Sequence, residues 1–218
     1  MARNPVAHKW RSPYRSLVLR ESVCWRIHDL LTQAQFLYEA NHILGSRILI
    51  RSALETVAIL IHLNQLTGQV LDGSLNFHEF QKKTVKLLVG SRNGSTAHES
   101  INIVTVFKHC EKTYKGVFET YKTLSECAHP NFEAVCLGYS VTDVEQHVTQ
   151  FSNQWQAKWA DKHESLVEFV CRTFETEYTY VWAQQNNKLE AWLVENDTEL
   201  MATVGENEGP ISNRPVPI

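Results

Sequence analysis

"ILIRSALETVAILIHL", residues 48–63, decides the fold class. Ile48, Leu49, Ile50, Ala53, Leu54, Val57, Ala58, Ile59, Leu60, Ile61 and Leu63 cover most of a helical circumference, and a helix this apolar belongs at the centre of a bundle. The run carries Arg51, Glu55 and His62 and is too short to span a bilayer. It reads as a core helix of a soluble, cytoplasmic protein with no membrane partner. Its polar residues Arg51, Ser52, Glu55, Thr56 and His62 fall within a band about 140° wide at helical pitch, and Arg51 and Glu55 stand one turn apart.

Helical periodicity extends on both sides. A first helix is expected over 16–42, with Leu17, Cys24, Ile27, Leu31, Ala34 and Tyr38 as its apolar stripe. A short turn, "ILGS", joins it to a second helix over 46–67, so the two should pack antiparallel. A third is expected over 77–89, stopping at Gly90. Further helices are expected over 101–114, despite the strand-like "INIVTV", and over 117–128. Residues 131–141 read as irregular, and Thr142–Glu145 has capping-box spacing for the next helix start. The chain is helical in pattern from Trp155, with a last helix over 188–201. The expectation is an all-α helical bundle. Its parts are an irregular basic segment over 1–15, one helical domain over 16–202 (core 16–130, C-terminal helices 142–202) and a flexible tail over 203–218.

Composition narrows the function classes. Hydrophobic residues make up 43% of the chain, enough for a core, and six prolines and nine glycines are too few for an all-β sandwich. A net charge of -3 means that a polyanionic partner would need a local basic surface. The five cysteines, 24, 110, 127, 136 and 171, lack a CxxC pair and read as free thiols of a reducing compartment. No histidine falls in a metal-binding spacing, and the phosphate-loop, dinucleotide and nucleophile-elbow motifs are missing. No metal or cofactor is therefore expected.

Two groups of residues carry chemistry. In "YKTLSECAHPN" (121–131), Pro130 forces the helix to stop at Ala128 or His129. His129 would then sit at the negative end of a helix dipole, with Tyr121 and Ser125 on the same face. Such a histidine either caps the helix or transfers a proton. In "RNGSTAH" (92–98), Arg92 and His98 share a turn-rich loop. Arg51 and Glu55 are likewise open to two readings. They form a solvent-facing ion pair of small value, or a pocket in which a guanidinium takes a phosphate or carboxylate.

"RSALET" on an apolar helix and "YKTLSECAHPN" at a later helix end resemble a bacterial helical family of unassigned function, carrying R-x-x-x-E and Y-x-x-L-S-E-x-x-H-P-N, over about residues 45–140. That family is similar to the HEPN superfamily. Many HEPN proteins are metal-independent ribonucleases of toxin–antitoxin, CRISPR and anti-phage systems, and others are inactive binding modules. Active members use an arginine and a histidine four to six residues apart, often R-N-x-x-x-H, paired across a homodimer. The resemblance implies a HEPN-like up-and-down bundle with additional C-terminal helices. It implies a homodimer acting on RNA, with a protein partner or antitoxin. Arg51, Glu55, Ser125 and His129 would be the catalytic set, supported by Tyr121 and Asn131. Arg92 and His98 form the second set; their spacing fits, while their loop setting departs from the pattern. The alternative is a non-catalytic helical interaction module in which Arg51–Glu55 is a structural ion pair and His129 a cap.

Overall fold

The computed structural model describes residues 4–203, so the tail expected over 203–218 lies, apart from Thr203, outside the described residues. The chain is an all-α helical bundle with a single two-stranded hairpin among the described residues. In order, the elements are α1 (Pro5–His8), α2 (Arg11–Glu39), α3 (Ile43–Leu71), α4 (Phe77–Val89), α5 (Ile103–Cys110) and α6 (Val117–Glu126). A π-helical turn (Phe132–Leu137), β1 (Ser140–Asp143), β2 (Val148–Phe151) and α7 (Trp155–Trp159) follow. A 3-10 turn (Ala160–Lys162) leads into α8 (His163–Glu175), a π-helical turn (Thr176–Val181) and α9 (Trp182–Ala202).

Where the segment 1–15 was expected to be irregular, helix already forms. The Asn4 carboxamide accepts from the Val6 N–H at 2.9 Å, Pro5 occupies the first turn, and α2 begins at Arg11. Pro13 is tolerated because the first-turn N–H groups have no intrahelical acceptor. The buried stripe of α2 runs through Leu19, Val23, Ile27, Leu30 and Ala34. Only Ile27 and Ala34 belong to the expected stripe. Val23 and Leu30 each lie one position from an expected member, and Trp25 and Phe36 point to solvent.

The helix start expected at Thr142–Glu145 is instead the corner of the β1–β2 hairpin, with Ser140 opposite Phe151. Asp143 Oδ1 accepts from the N–H groups of Glu145 and Gln146, both at 3.0 Å, and His147 takes a φ of 55°. An aspartate that satisfies N–H groups two and three residues on serves a turn as readily as a helix start, and the capping pattern does not separate the two.

The sequence pattern predicts one domain over 16–202; residue contacts group the chain into two compact units. The first takes in the described residues of Met1–Ser22, Ile59–Asn102 and Glu175–Ile218. Its core holds Trp10, Leu60, Leu63, Phe80 and Leu189, with Trp10 edge-on to Phe77 at 5.4 Å and its indole N–H donated to Asp197 at 3.0 Å. Buried Asn64 donates to the Glu177 carboxylate at 2.7 Å, and the Arg20 guanidinium lies 3.6 Å over the Tyr178 ring.

The second unit takes in Val23–Ala58 and Ile103–Phe174. Within it α2 and α3 pack antiparallel: Leu37 closes on Gly45, and Arg26 Nε donates to Thr56 Oγ1 at 3.1 Å. Ile50, Leu54, Phe107, Leu124 and Trp155 are among its largest buried side chains. A smaller cluster of Ile43, Cys127, Ala134, Trp155 and Ala160 underlies the end of α6.

Gly90 ends α4, but its φ of −66° is open to any residue. What demands glycine is proximity, since a Cβ there would stand 2.4 Å from the Lys86 carbonyl oxygen and 2.8 Å from that of Glu99. Both are backbone atoms that cannot swing away. Gly90→Ala is expected to cost about 2 kcal/mol in urea unfolding; a cost under about 0.5 kcal/mol, the range of an ordinary surface change, would show that the Ser91–Glu99 loop yields freely.

Candidate functional site

Arg51 emerges from α3 toward α6, and its guanidinium is held from three sides. Nε donates to Ser125 Oγ at 3.0 Å, and Nη2 donates to Tyr121 Oη at 3.1 Å and to Glu55 Oε1 at 2.9 Å. Tyr121 and Ser125 are one turn apart on α6, as Arg51 and Glu55 are on α3, so one planar fork spans two facing helical turns. Ser125 Oγ donates in turn to the Tyr121 carbonyl at 2.8 Å, and the Tyr121 ring stacks on Phe107 at 4.1 Å. The side chains of Arg51 and Glu55 are 20% and 27% exposed. The pair is therefore neither the solvated surface pair nor a fully closed core pair. Nη1 of Arg51 has no protein acceptor among the described residues.

His129 stands apart. α6 stops at Glu126, and His129 lies in the following bend, exposed, with its carbonyl accepting from the Asn131 N–H at 2.8 Å. Its imidazole makes no hydrogen bond, ion pair or ring contact among the described residues, so it does not cap α6. Asn131 acts locally. Its Oδ1 accepts from the Ala134 N–H at 3.0 Å at the start of the π-helical turn, and its amide nitrogen donates to Glu126. The structure thus joins Arg51, Glu55, Tyr121 and Ser125 and leaves His129 and Asn131 outside their hydrogen bonds.

Arg92 and His98 are both exposed in the bend-rich loop closed by the Ser91–Glu99 bridge. The loop is held by its own small side chains: Thr96 N–H donates to Ser91 Oγ, and Ser95 N–H to Asn93 Oδ1, both at 3.1 Å. No described side chain bonds to the Arg92 guanidinium or the His98 ring. A loop of this kind lacks the packed helix that would fix the distance between the two.

Two polar features escape a reading of the sequence. Arg47, one turn before Arg51, is 2% exposed, and its Nε donates to Cys127 Sγ at 3.1 Å. Burial pushes the Cys127 thiol above its ordinary range, with the Arg47 hydrogen bond opposing. Arg47 is legible as the i−4 neighbour of Arg51, but placement at a helix start gives no sign of burial. The second feature is His163. Its ring stacks on Tyr38 at 3.8 Å and 4°, Nε2 meets Gln35 Oε1 at 2.9 Å, and Nδ1 meets Ser46 Oγ at 3.1 Å. Gln35 gives its amide nitrogen to Glu39 at 2.9 Å, which leaves its oxygen facing the ring. Nε2 therefore carries the proton and Nδ1 accepts from the Ser46 hydroxyl, a neutral tautomer with both nitrogens satisfied.

Among the described residues no group of three or more His, Cys, Asp or Glu is placed to hold a metal ion, and no helix is long and apolar enough to cross a membrane. All five cysteines are free.

Burial holds the His163 imidazole below the ordinary histidine value of 6.5, with Glu164 opposing weakly. The unfolded chain then binds the extra proton first, so this contribution to stability is complete above that value and is lost as pH falls below it. Unfolding midpoints of the native chain are expected to fall more steeply between pH 7 and pH 5 than those of His163→Gln; parallel slopes would contradict the neutral tautomer. Tyr121→Phe, which deletes one acceptor of Arg51, should cost about 1 kcal/mol in urea unfolding.

Comparison with protein-family models, with curated proteins and with solved structures gives no match to this chain.

Proposed function

We propose that the chain is a metal-independent endoribonuclease whose site lies at the end of α6, with His129 transferring protons and Arg51 meeting the scissile phosphate. The observation that carries this reading is the state of His129. A histidine that served to end the helix would donate to the last carbonyls of α6, and this imidazole bonds to no described residue while standing exposed four residues past Ser125. An imidazole free of structural duties can give or take a proton. Arg51 supports the reading through Nη1, which is open, while Glu55, Tyr121 and Ser125 fix the plane of the guanidinium.

In the reaction proposed, the RNA 2′-hydroxyl loses its proton to a base and its oxygen bonds to the adjacent phosphorus. The P–O5′ bond breaks, and the leaving oxygen takes a proton from an acid. The products are a 2′,3′-cyclic phosphate and a 5′-hydroxyl. Arg51 stabilises the charge on the phosphorane oxygens, and His129 serves as acid; His129 of a second copy in a homodimer serves as base. A role as a toxin or anti-phage effector, restrained by a protein partner, belongs to the same proposal and rests on the motif resemblance.

A second reading is favoured by one observation of its own. Arg51 is already neutralised by Glu55 and bonded to two hydroxyls, which suits a structural tie in a non-catalytic interaction module.

Labelled single-stranded RNA incubated with the purified chain in EDTA separates the readings. Cleavage should fall roughly 100-fold or more in His129→Ala and strongly in Arg51→Ala, and should be unchanged in His98→Ala. Cleavage that survives the first two substitutions sinks the site, loss confined to His98→Ala moves it to the Arg92–His98 loop, and no cleavage by the native chain favours the interaction module.

A further inference from the structure

Arg47 poses a problem that neither reading of Arg51 addresses. It is 2% exposed, so its charge sits inside the second unit, yet no described carboxylate lies within ion-pair distance. Its one hydrogen bond is Nε to Cys127 Sγ at 3.1 Å. Sulfur is a weak acceptor, and burial keeps the thiol protonated, so Cys127 supplies no countercharge. Nη1 is buried with no partner, whereas Nη2 touches solvent and meets no protein acceptor among the described residues. The free outer edge of the guanidinium is therefore a pair of parallel N–H groups.

Burying a charge without a counter-ion costs several kcal/mol, and deleting such a charge in favour of an apolar side chain is commonly neutral or stabilising. A parallel pair of N–H donors fits two oxygens of one carboxylate or phosphate. Charge supplies the stoichiometry. Arg47 and Arg51 contribute two positive charges one helical turn apart, and Glu55 offsets one of them. Glu133 bears on Cys127 electrostatically but forms no ion pair with Arg47. One positive charge is left over.

We propose that the outer edge of Arg47 is a binding site for a singly charged oxyanion, a phosphodiester or a carboxylate group, which supplies the missing countercharge between α3 and the end of α6. The site stands whether or not the chain cuts RNA, because its ground is the unpaired buried charge and not His129.

The test uses the full chain in a melting experiment with dimethyl phosphate, with acetate, and with chloride at matched ionic strength. At tenfold excess over its Kd an oxyanion should raise the midpoint by about 3 °C beyond chloride. A response to dimethyl phosphate alone assigns a phosphodiester, to acetate alone a carboxylate, and to both a site for either group. R47M should be at least as stable as the native chain without oxyanion and should lose the response; R47K, which keeps the charge without the two-pronged edge, should fold and bind at least tenfold more weakly. The proposal is overturned if no oxyanion moves the native midpoint beyond chloride, if R47M or R47K responds as the native chain does, or if R47M unfolds without oxyanion. The last result would mark Arg47 as a structural residue satisfied by water. Loss of RNA cleavage with a retained oxyanion response would discard the ribonuclease and leave this site in place.

Discussion

Two bonds from one guanidinium tie α3 to α6, and the arrangement of the candidate site follows from them. Arg51 reaches across from a helix on which its neighbours Ile50, Ala53 and Leu54 are wholly buried, and it finds a carboxylate on its own helix and two hydroxyls on α6. Within one helix the Arg-before-Glu order is the weaker orientation of an i,i+4 pair. The bonds to Tyr121 and Ser125 are what make the arrangement more than a surface pair. They connect elements about seventy residues apart in sequence and fix the turn of α6 from which the chain leaves toward His129.

A polar layer inside an apolar bundle must satisfy its donors and acceptors, and the second unit does so unevenly. His163 is fully served by Gln35 and Ser46 and pressed flat on Tyr38. Arg51 is served on two of its three nitrogens. Arg47 has a thiol and little else. Completeness of bonding distinguishes residues that hold the fold from residues with capacity to spare, and on that scale Arg47 and His129 have capacity to spare.

Much of this was legible in the sequence. The all-α class followed from one apolar helix and the scarcity of glycine and proline. The bounds of α4 came out residue for residue, because Asn76 and Gly90 mark its ends chemically. The association of Arg51 with Ser125 rested on motif resemblance, and helical spacing then placed Glu55 and Tyr121 beside them. The rest was hidden for physical reasons. Thr142–Glu145 offers the same side-chain oxygens to a hairpin corner as to a helix start. The stripe of α2 shifted because a helix with apolar residues on several faces does not state which face will be covered. Burial of Arg47 depends on what packs over the end of α6, which no local pattern encodes.

Everything proposed for the site requires that Arg51 and Ser125 interact directly and hold α3 against α6. A double-mutant cycle on urea unfolding, with Arg51→Met, Ser125→Ala and the pair, measures that interaction without reference to any substrate. The predicted coupling is about 1 kcal/mol or more. Additivity within about 0.3 kcal/mol would show that the two side chains do not interact in solution and would remove the scaffold on which the candidate site is built.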